Sequence, residues 1–287
     1  QGAAGAAAAV FAPGIVRALF GDDRAVGALG FLGSVEAMTP AFAPIAGVWL
    51  YSAFGWNASF VVIAVLAAAI ACAVHLLKER LPAVVSRPGA GGYLALMRNL
   101  VFQRYALSQA FTLGALLVIV FAAPTVFVAA LGGTLGDFIV MQLVGIATFA
   151  VSANATGRLS ARFGAERMIR AGTLLSFAGC AALLAYALAG GGAPLMVAAI
   201  FVPINIGLGL RGPVGFHRAV VASRGDDARG AALVMLSVLV TTAAGTAAVA
   251  PFITQGLLPL AVAATALTGI AVLLLAVLPP LREAPAD

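Results

Sequence analysis

The sequence predicts an all-α integral membrane protein, and three observations support that prediction. Hydrophobic residues make up 63% of the 287 residues and charged residues only 9%, whereas a soluble domain carries about 25% charged residues. The apolar residues come in blocks of about 20, which is the length of helix that crosses a bilayer. The blocks lack the alternating pattern of barrel strands, and a helix satisfies its own backbone hydrogen bonds in lipid.

Nine apolar blocks are candidate transmembrane spans, and a long polar connection divides them into two groups. The spans cover residues 1–20, 26–50, 55–77, 105–131, 138–156, 168–189, 194–210, 230–254 and 257–279. We expect residues 1–77 to form one helical domain, residues 78–104 a cytoplasmic central loop, and residues 105–287 a second domain of six helices with a short tail. The stretch "YLALMRNLVFQR" within that loop can lie along the membrane surface as a short amphipathic helix.

The positions of the basic residues predict the orientation in the membrane. All 16 Lys and Arg fall in alternate connections, which include Lys78 to Arg104 and Arg211 to Arg229, and the connections between these hold none. Since basic residues beside spans stay on the cytoplasmic side, we expect a multi-pass protein of the cell (inner) membrane with a cytoplasmic carboxyl terminus. The net charge of +6 then reports topology, and the expected partner is the lipid bilayer and not a nucleic acid.

The second span carries a glutamate, two prolines and a glycine on one helical face. These residues are spaced i, i+4, i+8 and i+11 along a helix and are Glu36, Pro40, Pro44 and Gly47. The prolines remove backbone hydrogen bonds and can kink the helix. Ala43 and Gly47 are small enough for a neighbouring helix to come close. The face is therefore a candidate packing surface between helices.

With these spans, this central loop and three motifs, the chain resembles the major facilitator superfamily, and within it the drug/proton antiporters of the bicyclomycin-resistance (Bcr/CflA-like) branch. "QGAAGAAAAVFAPGIVRALFGDDRA" is similar to the family's fourth helix, "TPAFAPIAGVWL" to the antiporter motif of the fifth, and "GRLSARFGAERMIRAG" to the loop between helices eight and nine. The resemblance covers the whole chain and implies a helical bundle with nine of twelve transmembrane helices present. We therefore expect a fragment that lacks helices one to three and does not transport on its own.

The antiporter motif matches the family in part. Pro44 and Gly47 match, while Ala43 replaces the more usual Gly and Val48 replaces a second one. The resemblance implies that this face packs against the other six-helix half and seals the antiporter against leak. A helix-packing surface without a transport role is the alternative that the residues leave open.

The loop motif supplies a candidate cytoplasmic gate. The residues that match the family are Gly157, Arg158, Arg162, Gly164 and Arg167. The resemblance implies that such arginines latch the gate by pairing with acids and helix carboxyl ends, although Ala161 stands where an acidic residue is common. Arginines that only anchor the helix ends on the cytoplasmic side are the alternative.

Glu36 is the candidate site for a proton or a cationic substrate. It lies 12 residues past Arg24, which is about 18 Å along a helix and close to the bilayer midplane. An ionised, lipid-facing glutamate would cost about 3 kcal/mol on insertion scales, so we expect the side chain to face the interior, where burial favours the neutral carboxyl. A carboxyl that loads and unloads a proton is what proton-coupled exchange requires. A protonated structural hydrogen-bond donor and a partner to a residue of the absent helices are the alternatives.

Three further polar residues within spans are candidates for the proton or substrate site. Gln109 and Thr112 lie in the fourth span and Asn205 in the seventh, and polar groups in lipid need partners or a water-filled cavity. For Asn205, substrate contact and a hydrogen bond to a neighbouring helix are both open. The sequence shows no spacing typical of metal ligands, no cofactor motif and no catalytic set at membrane depth.

These observations favour a secondary active transporter and not an enzyme. We expect a monomer that exports drugs or small metabolites in exchange for protons by alternating access. The alternative, from another class, is a transporter-like membrane protein that senses or scaffolds without moving a solute. A gated cavity with a coupling acid distinguishes the transporter from the sensor.

Overall fold

The chain consists of two compact units, residues 1–87 and residues 88–287. The residues that the computed structural model describes are 15, 19, 42–43, 46–80 and 92–281. Every regular element in these ranges is helical, and the same ranges contain no strand. The all-α prediction is therefore confirmed.

The first unit contributes α1, Ala58–Leu77. Helical residues 46–54 precede it, followed by a turn in which Gly55 adopts a φ of +81°. The sequence of α1 is almost entirely apolar, and none of its residues is buried by the described part of the chain. The helix is therefore suited to contact lipid along its length. A short 3-10 turn, Lys78–Arg80, follows it.

Seven helices form the second unit over the described residues. They are α2 (Gly92–Arg98), α3 (Leu100–Thr125), α4 (Leu135–Phe163), α5 (Ala165–Leu188), α6 (Pro194–Ala222), α7 (Asp227–Val249) and α8 (Leu258–Val277). α3 continues into a π-helical turn, Val126–Ala130, and α7 into a 3-10 turn, Ala250–Phe252. Together with α1, the helices from α3 to α8 give seven described helices that are long and apolar enough to cross a membrane. They confirm the last seven predicted spans, whereas most of spans 1–20 and 26–50 lies outside the described residues.

α3 and α6 occupy the centre of the second unit. α6 packs against α4, α5 and α3, while α3 also packs against α7 and α8, and α8 packs against α5. One apolar core cluster includes Phe127, Met141 and Phe201. A second cluster includes Phe102 and Tyr105 near the start of α3. Polar side chains on the inner faces of α3 and α6 are therefore enclosed by protein.

Glycine lets α5 and α6 approach each other closely. A Cβ atom on Gly172 would lie 2.4 Å from the carbonyl oxygen of Gly207, and a Cβ atom on Gly207 would lie 2.4 Å from that of Gly172. One turn further along α5, the hydroxyl of Ser176 donates a hydrogen bond of 3.1 Å to the carbonyl oxygen of Ile204. Small residues at such contacts are typical of membrane helices, and here they fix the register between α5 and α6.

The Gly172→Ala variant is expected to be less stable than the parent protein by about 1 to 3 kcal/mol, the usual cost of overpacking an interior. Gly212→Ala is the matched control, because Gly212 also lies inside a helix but nothing lies within 4 Å of its Cβ position. The control should be as stable as the parent or slightly more stable, since Ala is the better helix former. Thermal unfolding in detergent measures both variants, and an equal loss in the two would contradict the close contact.

Two helices extend well past the predicted carboxyl ends of their spans. α4 continues past residue 156 to Phe163 and α6 past residue 210 to Ala222, because the backbone ladder extends beyond the point at which hydropathy falls. The assignment of all Lys and Arg to connections is wrong, because α6 extends past Arg211 and α3 begins at Leu100, before Arg104. Arg104 lies in α3, Arg211 lies in α6, and both are fully buried. Both side chains donate hydrogen bonds to acceptors inside the bundle, which helps to accommodate them there.

The predicted central loop contains helical residues. α2 occupies Gly92–Arg98 and so overlaps only the first part of the stretch 93–104 that is predicted to form a short amphipathic helix, and its Leu96 is buried in the cluster around Phe102 and Tyr105. α3 begins at Leu100, so the last residues of the predicted loop belong to a membrane-spanning helix.

Cysteine labelling tests the predicted orientation. In a variant without Cys72 and Cys180, Asn57→Cys should react with a membrane-impermeant maleimide from outside the cell, because its connection holds no basic residue. Arg224→Cys should react only after permeabilisation, since that connection is basic. Both residues are exposed and lie beside helix ends. Labelling of Arg224→Cys from outside intact cells would overturn the orientation.

Candidate functional site

A hydrogen bond joins the amino-terminal end of α3 to the last turn of α6. The side-chain oxygen of Asn99 accepts hydrogen bonds from the backbone N–H groups of Val101 and Phe102, at 3.1 and 3.2 Å, and so caps α3. The Asn99 amide also donates a 3.0 Å hydrogen bond to the carbonyl oxygen of Ala222 at the end of α6. This double role sets the position of the next turns of α3 relative to α6.

A polar stripe follows on the inner face of α3. It comprises Ser108, Gln109 and Thr112, all of them buried. The hydroxyl of Thr112 donates a hydrogen bond of 2.8 Å to the carbonyl oxygen of Ser108, one turn earlier. This bond leaves the lone pairs of the Thr112 hydroxyl available for a donor from another helix.

Arg211 of α6 is that donor. Its Nη1 donates to the carbonyl oxygen of Ser108 and, at 2.7 Å, to the hydroxyl of Thr112, while its Nη2 donates at 3.2 Å to the hydroxyl of Ser108. The side chain is 0% exposed, and each of its hydrogen-bond acceptors is electrically neutral. A guanidinium inside a membrane costs about 3 kcal/mol on insertion scales. Neutral acceptors bind its two Nη groups, and the guanidinium forms no ion pair with a described residue.

Two polar atoms of the cluster have no hydrogen-bond partner among the described residues. They are the Nε of Arg211, a donor, and the Oε1 of Gln109, an acceptor. Gly215 lies beside both side chains: a Cβ atom placed there would be 3.0 Å from Nη2 of Arg211 and 3.1 Å from Oε1 of Gln109. The cluster therefore keeps an open donor and an open acceptor, which is what contact with a polar ligand or water requires.

Asn205 lies on another face of α6. Its amide donates a hydrogen bond of 2.9 Å to the carbonyl oxygen of Phe201, within its own helix. A Cβ atom on Gly145 of α4 would lie 2.9 Å from the Asn205 amide nitrogen, so Asn205 packs against α4. Of the candidate residues that the structure describes, Gln109 and Thr112 come together around Arg211, and Asn205 stays apart from them.

A cavity of about 420 Å³ opens between the last turns of α4 and α6. Thr156, Gly157, Ser160, His217 and Arg218 are among its lining residues. The hydroxyl of Thr156 donates a hydrogen bond of 3.0 Å to the carbonyl oxygen of Gly209 and so joins α4 to α6 at the inner end of the cavity. The cavity leaves this end of the α4–α6 contact open.

A second polar cluster joins three helices near the predicted cytoplasmic side. Arg104 of α3 donates to the carboxylate of Glu166 in α5 and to the carbonyl oxygens of Leu275 and Leu278 at the end of α8. The hydroxyl of Tyr105 donates to the other carboxylate oxygen of Glu166, at 3.0 Å. The Glu166 carboxylate offsets the charge of this buried guanidinium, and its two Nη groups are hydrogen-bonded, while its Nε has no hydrogen-bond partner among the described residues.

The α4–α5 turn carries the predicted gate residues. A single residue, Gly164, separates the two helices, and its φ of +88° explains why glycine stands there. Arg158, Arg162 and Arg167 are exposed, and none of them forms an ion pair with a described residue. The acid of this turn is Glu166, not residue 161, and its partners are Arg104 and Arg170.

The antiporter motif is described only in part. Ala43 and Gly47 are helical, and nothing lies within 4 Å of the Cβ position of Gly47 among the described residues. Glu36, Pro40 and Pro44 lie outside the described residues.

The site residues predicted from the sequence do not include the charged members of the two clusters, which are Arg211, Arg104 and Glu166. Arg211 ends the apolar block 194–210, although "GPVGF" continues the block beyond it. Extending the span to the next polar run would have placed this arginine inside the membrane. Arg104 and Glu166 stand beside other polar residues in connections, and their pairing depends on contacts that the sequence alone does not reveal.

Comparison with known proteins assigns these features to a family. A family model of the Major Facilitator Superfamily matches residues 1–224. The Bicyclomycin resistance protein homolog of Haemophilus influenzae is 27% identical over 187 residues, which is 62% of this chain and 46% of that relative. The chain thus spans about half the length of the curated relative it matches. Because the family match covers most of the chain, the resemblance is confirmed: the chain belongs to the major facilitator superfamily.

Proposed function

We propose that the protein exports small molecules, either drugs or metabolites, in exchange for protons by alternating access. Membership of a transporter family supports the transport of a small molecule across a bilayer. The name of the Haemophilus influenzae relative, a bicyclomycin resistance protein homolog, supports drugs as one substrate class. In this proposal the protein works as a monomer in the inner membrane, with its carboxyl terminus in the cytoplasm.

The observation that supports transport best is the buried Arg211 cluster. Ionisable residues inside a membrane are expensive, and they mark substrate or ion pathways. Arg211 is fully buried and hydrogen-bonded to neutral groups, and the carbonyl oxygen of Gln109 beside it has no hydrogen-bond partner in the described part of the chain. If these residues only stabilised the bundle, apolar side chains at the same positions would serve equally well or better, because burying a charged group costs free energy.

The proposal gives each candidate residue a role. Arg211, Gln109 and Thr112 contact the polar part of the substrate, and Glu36 carries the coupling proton. The arginines of the α4–α5 turn belong to the cytoplasmic gate, and the face with Pro44 and Gly47 packs against the other half. The two compact units, residues 1–87 and residues 88–287, are the two moving domains.

Drug accumulation in cells tests this function. The complete gene product is expressed in a strain without its own efflux pumps, and the uptake of a panel of fluorescent drugs is followed before and after a protonophore is added. We expect lower accumulation of some drugs in expressing cells, rising to the level of control cells once the proton gradient collapses. Unchanged accumulation for every drug would favour the sensor or scaffold. If drug accumulation is lowered and stays low after the protonophore is added, proton coupling would be excluded.

A further inference from the structure

A groove runs between α5 and α8 in the second unit. Its volume is about 220 Å³, and its lining residues are Arg170, Thr173, Leu174, Val272, Leu275 and Ala276. Apart from Arg170 and Thr173 the lining is apolar, and the hydroxyl of Thr173 is occupied by a 2.7 Å hydrogen bond to the carbonyl oxygen of Ile169. Both helices are long and apolar enough to span a membrane, so the groove offers hydrocarbon contact.

Among the described residues, the charges at the mouth of the groove are unbalanced. Arg104 and Arg170 both bond to the carboxylate of Glu166, so two guanidinium groups share one carboxylate. Arg104 is buried, whereas the side chain of Arg170 is 55% exposed. The excess positive charge of this cluster is therefore presented at Arg170.

Arg170 has the geometry to take an anion. Its Nε donates to Glu166 at 3.2 Å, and its two Nη groups form no hydrogen bond with any described residue. A guanidinium with both Nη groups open can bind a phosphate oxygen pair in a fork. Leu174, one turn deeper and 52% exposed, lies about 6 Å further along the helix. Along the groove, the charged side chain of Arg170 is thus followed by the apolar side chain of Leu174. A phospholipid has the same order, with a charged headgroup followed by an apolar acyl chain.

We propose that the groove between α5 and α8 binds an anionic phospholipid of the cytoplasmic leaflet, with its phosphate on Arg170 and an acyl chain between Leu174 and Ala276. The lipid's single negative charge balances the cluster of Arg104, Arg170 and Glu166. A lipid fits better than a soluble anion, because the groove beyond Arg170 is apolar and lies on membrane-spanning helices. The inference does not depend on what the protein transports.

Native mass spectrometry of the purified chain tests the proposal. The protein is released from dodecyl maltoside micelles that contain either dioleoyl phosphatidylglycerol or dioleoyl phosphatidylcholine, and the retained lipid is counted. We expect the parent protein to retain phosphatidylglycerol preferentially. In Arg170→Gln, the ratio of retained phosphatidylglycerol to retained phosphatidylcholine should fall at least about tenfold, which corresponds to the free energy of a charge-assisted hydrogen bond. Arg170→Lys should keep part of the preference. Arg167→Gln, an exposed arginine on the same turn of α5, is the matched control and should behave like the parent.

Two further arms separate the lipid from a free anion. Ala276→Phe fills the groove, leaves the ion pairs intact and should lower the retention of phosphatidylglycerol. Inorganic phosphate should not displace the lipid, because it cannot occupy the apolar part. Equal losses in Arg167→Gln and Arg170→Gln would overturn the proposal, as would full retention in Arg170→Gln or Ala276→Phe. Displacement by phosphate would show a site for the anion alone and would also overturn it.

Discussion

In the Arg211→Met variant, substrate export is expected to fall at least about tenfold, while the thermal stability of the protein is kept or raised. Met removes the guanidinium that bonds to Ser108 and Thr112 and replaces it with an apolar side chain of similar length. Replacing buried charged groups with apolar ones is often neutral or stabilising. The export assay with the protonophore control and a thermal unfolding curve measure the two effects separately.

Arg98→Met is the matched control, because Arg98 is exposed on α2 and lies outside the cluster. It should export like the parent protein. If Arg211→Met also exported like the parent, the arginine would be structural and the proposed substrate contact would be wrong. A variant that unfolds would show that the guanidinium holds α3 and α6 together, and it too would contradict the prediction.

The Glu36→Gln variant is expected to abolish proton-driven export without affecting insertion into the membrane. Gln keeps the size and the hydrogen-bonding capacity of the side chain but cannot release a proton, so the substitution separates titration from packing. Export in inverted vesicles, followed from mildly acidic to mildly alkaline pH, should lose its dependence on the proton gradient.

Glu79→Gln supplies the control for Glu36→Gln, since Glu79 is exposed in the turn after α1. It should leave the pH dependence of export unchanged. A structural glutamate that is already protonated would tolerate Gln with little loss. Parent-like coupling in Glu36→Gln would therefore assign Glu36 to packing.

The spans and two members of the buried cluster could be predicted from the sequence for the same physical reason. The free energy of transferring a side chain from water into lipid depends on the chemistry of that side chain. Apolar runs therefore identify helices such as α5 and α8 without any knowledge of contacts. For the same reason, Gln109 and Thr112 stand out as polar residues within an apolar run. No contact had to be known in advance to single them out.

The arginines could not be predicted in this way, because their energies depend on partners from distant parts of the chain. Arg104 donates hydrogen bonds to a carbonyl group of α8 and to Glu166. Arg211 donates hydrogen bonds to Ser108 and Thr112 of α3. Hydropathy counts an arginine as the end of a span whether or not such acceptors exist. Asn205 illustrates the converse: it lies within a span as predicted, but the face of α6 that it occupies depends on how α4 and α6 pack.

Proton movement in proteoliposomes tests the central claim, which is that substrate and protons move in opposite directions through one protein. The purified gene product is reconstituted with a pH-sensitive dye inside the vesicles, and a drug that it exports is then added. We expect a saturable, drug-dependent change in internal pH that disappears in Glu36→Gln and in Arg211→Met. Drug movement at the parent rate with no change in internal pH would contradict it.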